Sequence, residues 1–198
     1  MSEHIIKRVT APVDWSMVPA LPISHRLWCP EVPIRAEAKI CYDENALYLQ
    51  LSAQEKNIRA ENFGVMDSPC EDSCLEFFFC PNPESPRYFN IEVNPNGCIF
   101  LGFGTKGKDL TRLFPLKPII VPDITRFDGG WQVAYDIPFS FIQLFVPEFR
   151  GVSGDTVRAN FYKCGDLTLQ EHYFAAFPID LSKPNFHCPE FFATLRFE

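Results

Sequence analysis

Short apolar runs, in many of which polar and apolar residues alternate, make up most of this chain, and proline, glycine and asparagine separate them. Such alternation places neighbouring side chains on opposite faces of an extended strand. In the stretch RYFNIEVN, Phe89 and Val93 share one face, whereas Asn90 and Glu92 share the other. Because this period of two does not suit a helix, it predicts an all-β fold.

The spacing of these runs predicts the architecture more closely. Aromatic and β-branched residues dominate the candidate strands, which are 36–42, 46–53, 73–80, 87–94, 97–103, 117–122, 131–137, 157–163 and 191–197. Turn residues separate several of them, as at 43–45, 95–97 and 128–130. The best helical candidate is 140–149, which Pro147 shortens to about two turns. We therefore predict an antiparallel β-sandwich of jelly-roll type with at most one or two short helices.

The expected core of this sandwich consists of the apolar side chains that share one face of their strands. It comprises Phe77, Phe79, Phe89, Ile91, Val93, Val133 and Phe161. A length of 198 residues with 46% hydrophobic content is enough for one well-buried core, so we expect a single domain over 1–198.

Charge and hydropathy exclude two classes of partner. The net charge is −7 and no basic run is present, which argues against nucleic-acid binding. The longest apolar stretches have the length of strands, so we expect no membrane span. The first residues lack the pattern of a secretory signal, so the chain as written is expected in the cytoplasm, and outside the cell if a leader was removed. The oligomeric state is not predicted.

The eight cysteines are expected to be free thiols. Cys74 and Cys80 would share one strand face about 20 Å apart, which is too far for a disulfide. Zinc sites use closely spaced ligand pairs, whereas the nearby cysteines and histidine form a loose set, namely Cys70, Cys74, Cys80, His187 and Cys188. The sequence therefore predicts no metal site.

Polar residues inside three of the strands form the candidate binding surface. Glu76 can join Asn90 and Glu92 on one face across a hairpin, and in VRANFYKC the residues Arg158, Asn160 and Tyr162 lie opposite the core face. Carboxylate, amide and guanidinium groups can match the adjacent hydroxyls of a sugar, and aromatic rings can cover its apolar C–H face. The alternative is an ordinary solvated face of an antiparallel sheet.

Four blocks of the sequence resemble the family 9 carbohydrate-binding modules and, most closely, their single-domain family 9-like relatives. The blocks are EDSCLEFFF, YFNIEVNPNG, RANFYKCGD and FHCPEFFATLRFE, and the resemblance extends from about residue 38 to 198. It implies a β-sandwich that holds a mono- or oligosaccharide on a polar surface between two tryptophans. It also implies that a structural calcium ion is possible; no other cofactor is expected.

The resemblance places the family's polar positions on Glu76, on Asn90 and Glu92, and on the strand that bears Arg158, Asn160 and Tyr162. The two expected tryptophans are absent, because this chain has Cys70 and Ala176 at those positions. Phe177 or Trp131 is the candidate replacement, and we expect weak binding because a stacking surface is lost. Trp15 and Trp28 are expected to pack over the end of the sandwich.

Three functions remain open at this point. The first is a non-catalytic carbohydrate-binding domain with no catalytic residues. The second is a structural or protein-interaction sandwich that has lost the sugar site, as Cys70 and Ala176 suggest. The third is a glycoside-acting enzyme that uses Glu76 and Glu92, since two carboxyl groups about 5 to 9 Å apart can act as acid and base or nucleophile.

Overall fold

The computed structural model describes residues 3–105 and 109–198, so residues 1–2 and 106–108 of the expected domain lie outside the described part. The strands are β1 (Glu3–Arg8), β2 (Leu21–Ile23), β3 (His25–Leu27), β4 (Arg35–Tyr42), β5 (Ala46–Gln54), β6 (Cys74–Cys80), β7 (Tyr88–Val93), β8 (Ile99–Gly104), β9 (Thr111–Arg112), β10 (Asp123–Phe127), β11 (Gly130–Pro138), β12 (Thr156–Gly165), β13 (His172–Ala175) and β14 (Ala193–Phe197). One α-helix, α1 (Phe139–Gln143), and short 3-10 turns at Pro69–Glu71 and Pro189–Phe191 accompany them. Within the described ranges, no helix is both long and apolar enough to cross a membrane.

The strands form two layers. The front sheet has the order β14-β12-β6-β7-β8-β9, and the back sheet has the order β10-β11-β5-β4. Strand β1 joins the two layers, because its first half pairs with β14 and its end pairs with β4, in both cases in parallel. The other strand pairings among the described residues are antiparallel, as in β6–β7 and β12–β6. The predicted all-β sandwich is confirmed, with the parallel β1 as the departure from a purely antiparallel sheet.

The main core lies between the sheets. All seven predicted core residues belong to it and are fully buried, namely Phe77, Phe79, Phe89, Ile91, Val93, Val133 and Phe161. Their rings stack across neighbouring strands, with 4.7 Å between the ring centroids of Phe77 and Phe161. Burial of each such side chain contributes roughly 1.5 to 3 kcal/mol, so this cluster holds the front sheet against the back sheet.

The predicted strand over 117–122 is wrong. The extended segment starts after it, as β10, which pairs with β11 from Asp123 onwards. Pro118 and Pro122 explain the difference, because each removes a backbone N–H that a sheet ladder needs. The helix is also shorter than expected, since α1 ends at Gln143.

The outer face of the front sheet is covered, and this decides the nature of the site. The C-terminal loop, residues 176–192, lies over it and supplies Phe186, Cys188 and Phe192 to a second apolar cluster with Phe78 and Tyr162. The polar face expected to be open to solvent is therefore largely buried. Access remains where the loop and the sheet leave a pocket between them.

Candidate functional site

A pocket of about 190 Å³ opens between the front sheet and the C-terminal loop. We call it the carboxylate pocket. It is lined by Trp28, Cys70, Glu76, Phe78, Glu92, Cys164, Asp166, Tyr173, Pro184, Asn185, Phe186 and His187. Three carboxyl groups and several aromatic rings thus converge on one small space.

Sheet register brings the two glutamates together. Glu76 on β6 lies directly opposite Glu92 on β7, so their side chains leave the same face as neighbours. They are only 2% and 7% exposed. Glu76 Oε1 accepts a hydrogen bond from Cys164 Sγ at 2.9 Å. Among the described residues, neither glutamate has an ion-pair partner within 4.0 Å.

Burial makes these carboxyl groups hold their protons more tightly than free ones. Desolvation, followed by the neighbouring Glu92 charge, raises the pKa of Glu76 well above its ordinary value. Desolvation also raises the pKa of Glu92 to about 7, and it raises the pKa of Asp166. A protonated carboxyl group both donates and accepts hydrogen bonds, so Glu76 can serve either side of a hydroxyl.

Three aromatic side chains that contact one another also line the pocket. Ring centroids of Trp28 and Tyr173 are 6.0 Å apart, those of Trp28 and Phe186 5.8 Å, and those of Tyr173 and Phe186 6.0 Å. Trp28 has a positive φ of 47°, which is rare for a bulky residue, and its Nε1 donates to Leu181 O at 2.6 Å. Backbone strain of this kind concentrates at binding sites. The expectation that Trp28 only packs over the sandwich end is therefore corrected.

Two of the predicted binding residues on β12, Arg158 and Tyr162, have structural roles. Arg158 donates to the carbonyl oxygens of Pro83, Pro189 and Ser85 at 2.8, 2.9 and 3.1 Å, so its guanidinium anchors loops. Tyr162 is fully buried under Phe186, with ring centroids 4.1 Å apart. Neither side chain lines the carboxylate pocket, which corrects their expected place on an open patch.

Asn160 lies where β12 changes partner from β14 to β13. On this side of β12, neither β14 nor β13 pairs with Asn160, and its side-chain amide makes the hydrogen bonds instead. Nδ2 donates to Phe177 O at 3.0 Å, and Oδ1 accepts from Phe177 N at 3.0 Å. Asn160 is fully buried. Its role is structural.

The two aromatic residues predicted to flank the site lie in the main core. Trp131 is 0% exposed on the back sheet, and its Nε1 donates to Glu55 Oε1 at 2.8 Å. Phe177 is buried in the same core, as is Ala176. Both candidate replacements for the missing tryptophans are therefore corrected, because the rings that line the pocket include those of Trp28, Tyr173 and Phe186 instead. Cys70 does line the pocket.

Asn90 is the most unusual predicted residue. It is 1% exposed, and neither Nδ2 nor Oδ1 makes a hydrogen bond of good geometry, although the amide acts on the neighbouring Glu92 carboxyl group and opposes the rise in pKa that burial causes there. It lies opposite Phe78 in the β6–β7 ladder, one row along the same sheet face from Glu92. Asn90 does not itself line the carboxylate pocket.

The donors at the pocket floor do not fit calcium. Ligand atoms of Cys74, Glu76 and Cys164 lie within 4.8 Å of one another. Two of the three are thiols, whereas calcium takes oxygen ligands. All eight cysteines are free thiols.

Sequence patterns missed the pocket residues outside the central strands. Asp166 follows β12, Tyr173 lies on the short strand β13, and Trp28 follows β3, which pairs with β13. No alternation marks segments this short. The one usable signal was their composition, because aromatic residues near a Pro-rich segment can cover a sheet face as well as its end.

Comparison with known proteins agrees with this geometry. The sequence profile described as Carbohydrate-binding family 9 matches residues 7–197. The fold is similar to that of a candidate carbohydrate-binding protein from Bacteroides uniformis, with a TM-score of 0.84, 25% identity and 99% coverage of both chains. No curated protein matches this chain.

Two further solved structures are of a family 9 module from Caldicellulosiruptor kristjanssonii. Both have a TM-score of 0.72, 13% identity and 100% coverage of this chain. The complex with cellotriose is covered to 94% and the complex with glucose to 96%. At this identity the likeness shows a shared fold. The profile match spans nearly the whole sequence, and the resemblance of the four blocks is thereby confirmed: the chain belongs to carbohydrate-binding family 9.

Proposed function

We propose that this chain is a non-catalytic domain that binds a mono- or oligosaccharide in the carboxylate pocket. The observation that carries the proposal is the convergence of Glu76, Glu92 and Asp166 with the aromatic wall of Trp28, Tyr173 and Phe186. Carboxyl groups suit sugar hydroxyls, and aromatic rings suit the C–H face of a sugar. The Caldicellulosiruptor module of the same fold was solved with glucose and with cellotriose, which supports a saccharide ligand.

The size of the pocket favours a single ring over an extended chain. Its volume of about 190 Å³ is below the range of roughly 300 to 1,000 Å³ that is typical of pockets for drug-sized ligands. One sugar unit would enter, and any further units would lie outside. Because one sugar unit makes few contacts and the two glutamates are buried, we expect a dissociation constant on the order of millimolar.

The arrangement of the glutamates favours binding over hydrolysis. Glycosidases place two carboxyl groups on either side of the scissile bond. Glu76 and Glu92 are side-by-side neighbours on one sheet face. We therefore expect no release of reducing sugar from common glycosides; release that is lost in Glu76→Gln would identify an enzyme instead.

Calorimetric titration with glucose and cellotriose tests the proposal. Wild type should bind with a millimolar Kd, and Glu76→Ala should abolish binding while its circular dichroism spectrum stays that of the folded wild type. Trp28→Ala should weaken binding about fivefold, since an aromatic contact is worth about 1 kcal/mol. Trp15→Ala and the exposed Glu37→Gln are matched controls outside the pocket. Unchanged binding in both Glu76→Ala and Trp28→Ala would refute the site.

We propose that the domain, residues 1–198, works in a reducing compartment such as the cytoplasm. The eight free thiols support this, because disulfides form in oxidising compartments. Alkylation of freshly prepared protein under non-reducing denaturation should modify every cysteine, as measured by mass spectrometry. A substantial population with paired cysteines would contradict the proposal.

A further inference from the structure

Two thiols and one carboxyl group meet at the floor of the carboxylate pocket. Cys74 and Glu76 leave the same face of β6, and Cys164 on β12 lies directly opposite Cys74. Their two Sγ atoms and one Oε atom lie within 4.8 Å of one another, and all three residues are buried. Two adjacent, paired strands therefore hold three donor atoms together.

Two of the three residues line the pocket. Glu76 and Cys164 both belong to the pocket wall, so a small ion that enters the pocket reaches them directly. Further donors line the same wall, namely Cys70, Glu92 and Asp166. Among the described side chains, no lysine or arginine forms an ion pair with Glu76. The pocket therefore gathers sulfur and oxygen donor atoms that no cationic side chain occupies in an ion pair with Glu76.

We propose that Cys74, Cys164 and Glu76 form a binding site for a zinc-class divalent cation, with its fourth position open to the pocket. Two sulfur donors and one oxygen donor suit tetrahedral zinc and do not suit calcium or magnesium, which take oxygen ligands. Bond lengths of about 2.0 to 2.3 Å require ligand atoms roughly 3.3 to 3.8 Å apart. The ligand atoms lie within 4.8 Å of one another, so the widest spacing exceeds this range by at most about 1 Å.

The test of this site is independent of the sugar proposal, because metal binding is measured without any saccharide, although Glu76 belongs to both sites. A water or a pocket carboxylate would fill the fourth position. No close ligand pair of the usual kind marks the site in the sequence, since Cys74 and Cys164 are 90 positions apart; the register of β6 and β12 joins them.

Cobalt titration tests the site. Reduced, tag-free, metal-free full-length protein is titrated with Co²⁺, followed by Zn²⁺ as competitor. The expected result is one equivalent of cobalt, with thiolate-to-cobalt charge-transfer absorption and the visible bands of tetrahedral cobalt, displaced by zinc. Cys74→Ser and Cys164→Ser should each weaken binding by about 100-fold or more, the upper end of what changes around the ligands cause.

The buried Cys41→Ser on β4 is the matched control and should bind as wild type does. Glu76→Gln, which keeps the shape of the side chain, should also lose affinity and covers the case in which a serine variant does not fold. Absence of thiolate absorption, or affinity unchanged in both Cys74→Ser and Cys164→Ser, would overturn the proposal. So would a Cys74–Cys164 disulfide that persists in reducing buffer.

Discussion

Replacing Glu92 by glutamine should stabilise the protein at alkaline pH and leave it unchanged in acid. Burial raises the pKa of Glu92 to about 7, from the ordinary 4.5 of a glutamate side chain. Below pH 4.5 the carboxyl group is protonated in both the folded and the unfolded state. As the pH rises towards 7, the unfolded state loses its proton first, so the folded state becomes progressively less stable.

The size of this effect follows from the pKa difference. The difference between about 7 and 4.5 corresponds to about 3 kcal/mol at 1.36 kcal/mol per pKa unit. Glutamine imitates the protonated form and carries no charge, so Glu92→Gln removes the penalty. For a domain of this length, about 3 kcal/mol shifts the melting temperature by roughly 6 to 12 °C.

Thermal unfolding followed by circular dichroism between pH 4 and pH 9 measures this effect. The readout is the difference in melting temperature between Glu92→Gln and wild type. This difference removes the contribution of His172, which has the opposite sign and is present in both proteins. Burial lowers the pKa of His172 to about 4, so its contribution to stability is present above pH 6.5 and is lost as the pH falls through 4. Glu37→Gln, at an exposed position of β4, is the control. A difference of zero at pH 9, or the same difference at pH 4 and pH 9, would refute the reasoning.

Two further predictions concern stability. Lys163→Met should lower the free energy of unfolding, measured by chemical denaturation, by about 3 to 5 kcal/mol, because it leaves the buried Glu55 carboxylate, 3.2 Å away, without its ion-pair partner. Arg8→Met breaks only an exposed ion pair and should lower it by less than about 1 kcal/mol. Asn160→Ala should cost about 1 to 3 kcal/mol through the backbone groups that it leaves unpaired. Asn90→Ala should cost less, at most about 1 kcal/mol, because its amide pairs with no backbone group and only helps to hold the Glu92 carboxyl group. Equal costs within either pair would contradict these assignments.

The central strands and the core could be predicted from the sequence because alternation reports directly on burial. Phe77, Phe89 and Phe161 lie in the core because their strand faces require it. The proximity of Glu76 and Glu92 could be predicted for the same reason, because their side chains leave the same face of two paired strands. Local pattern was sufficient wherever an element is long and one of its faces is buried.

The cover of the site could not be predicted in this way. Alternation shows that Tyr162 leaves the outer face, but it does not show that Phe186 of the C-terminal loop stacks on it. Trp28 and Tyr173 reach the pocket through β3 and β13, elements of three and four residues whose pairing joins distant parts of the chain. Long-range contacts of short elements leave no periodic signal in the sequence. The sequence therefore predicts the aromatic residues of the site at Trp131 and Phe177 instead.

A crystal soaked with glucose tests the central claim most directly. We expect one sugar ring in the carboxylate pocket. Its hydroxyl groups should lie within hydrogen-bond distance of Glu76 or Glu92, and its C–H face should lie against Trp28 or Tyr173. A sugar bound elsewhere on the surface, with the pocket holding only water at saturating glucose, would contradict it.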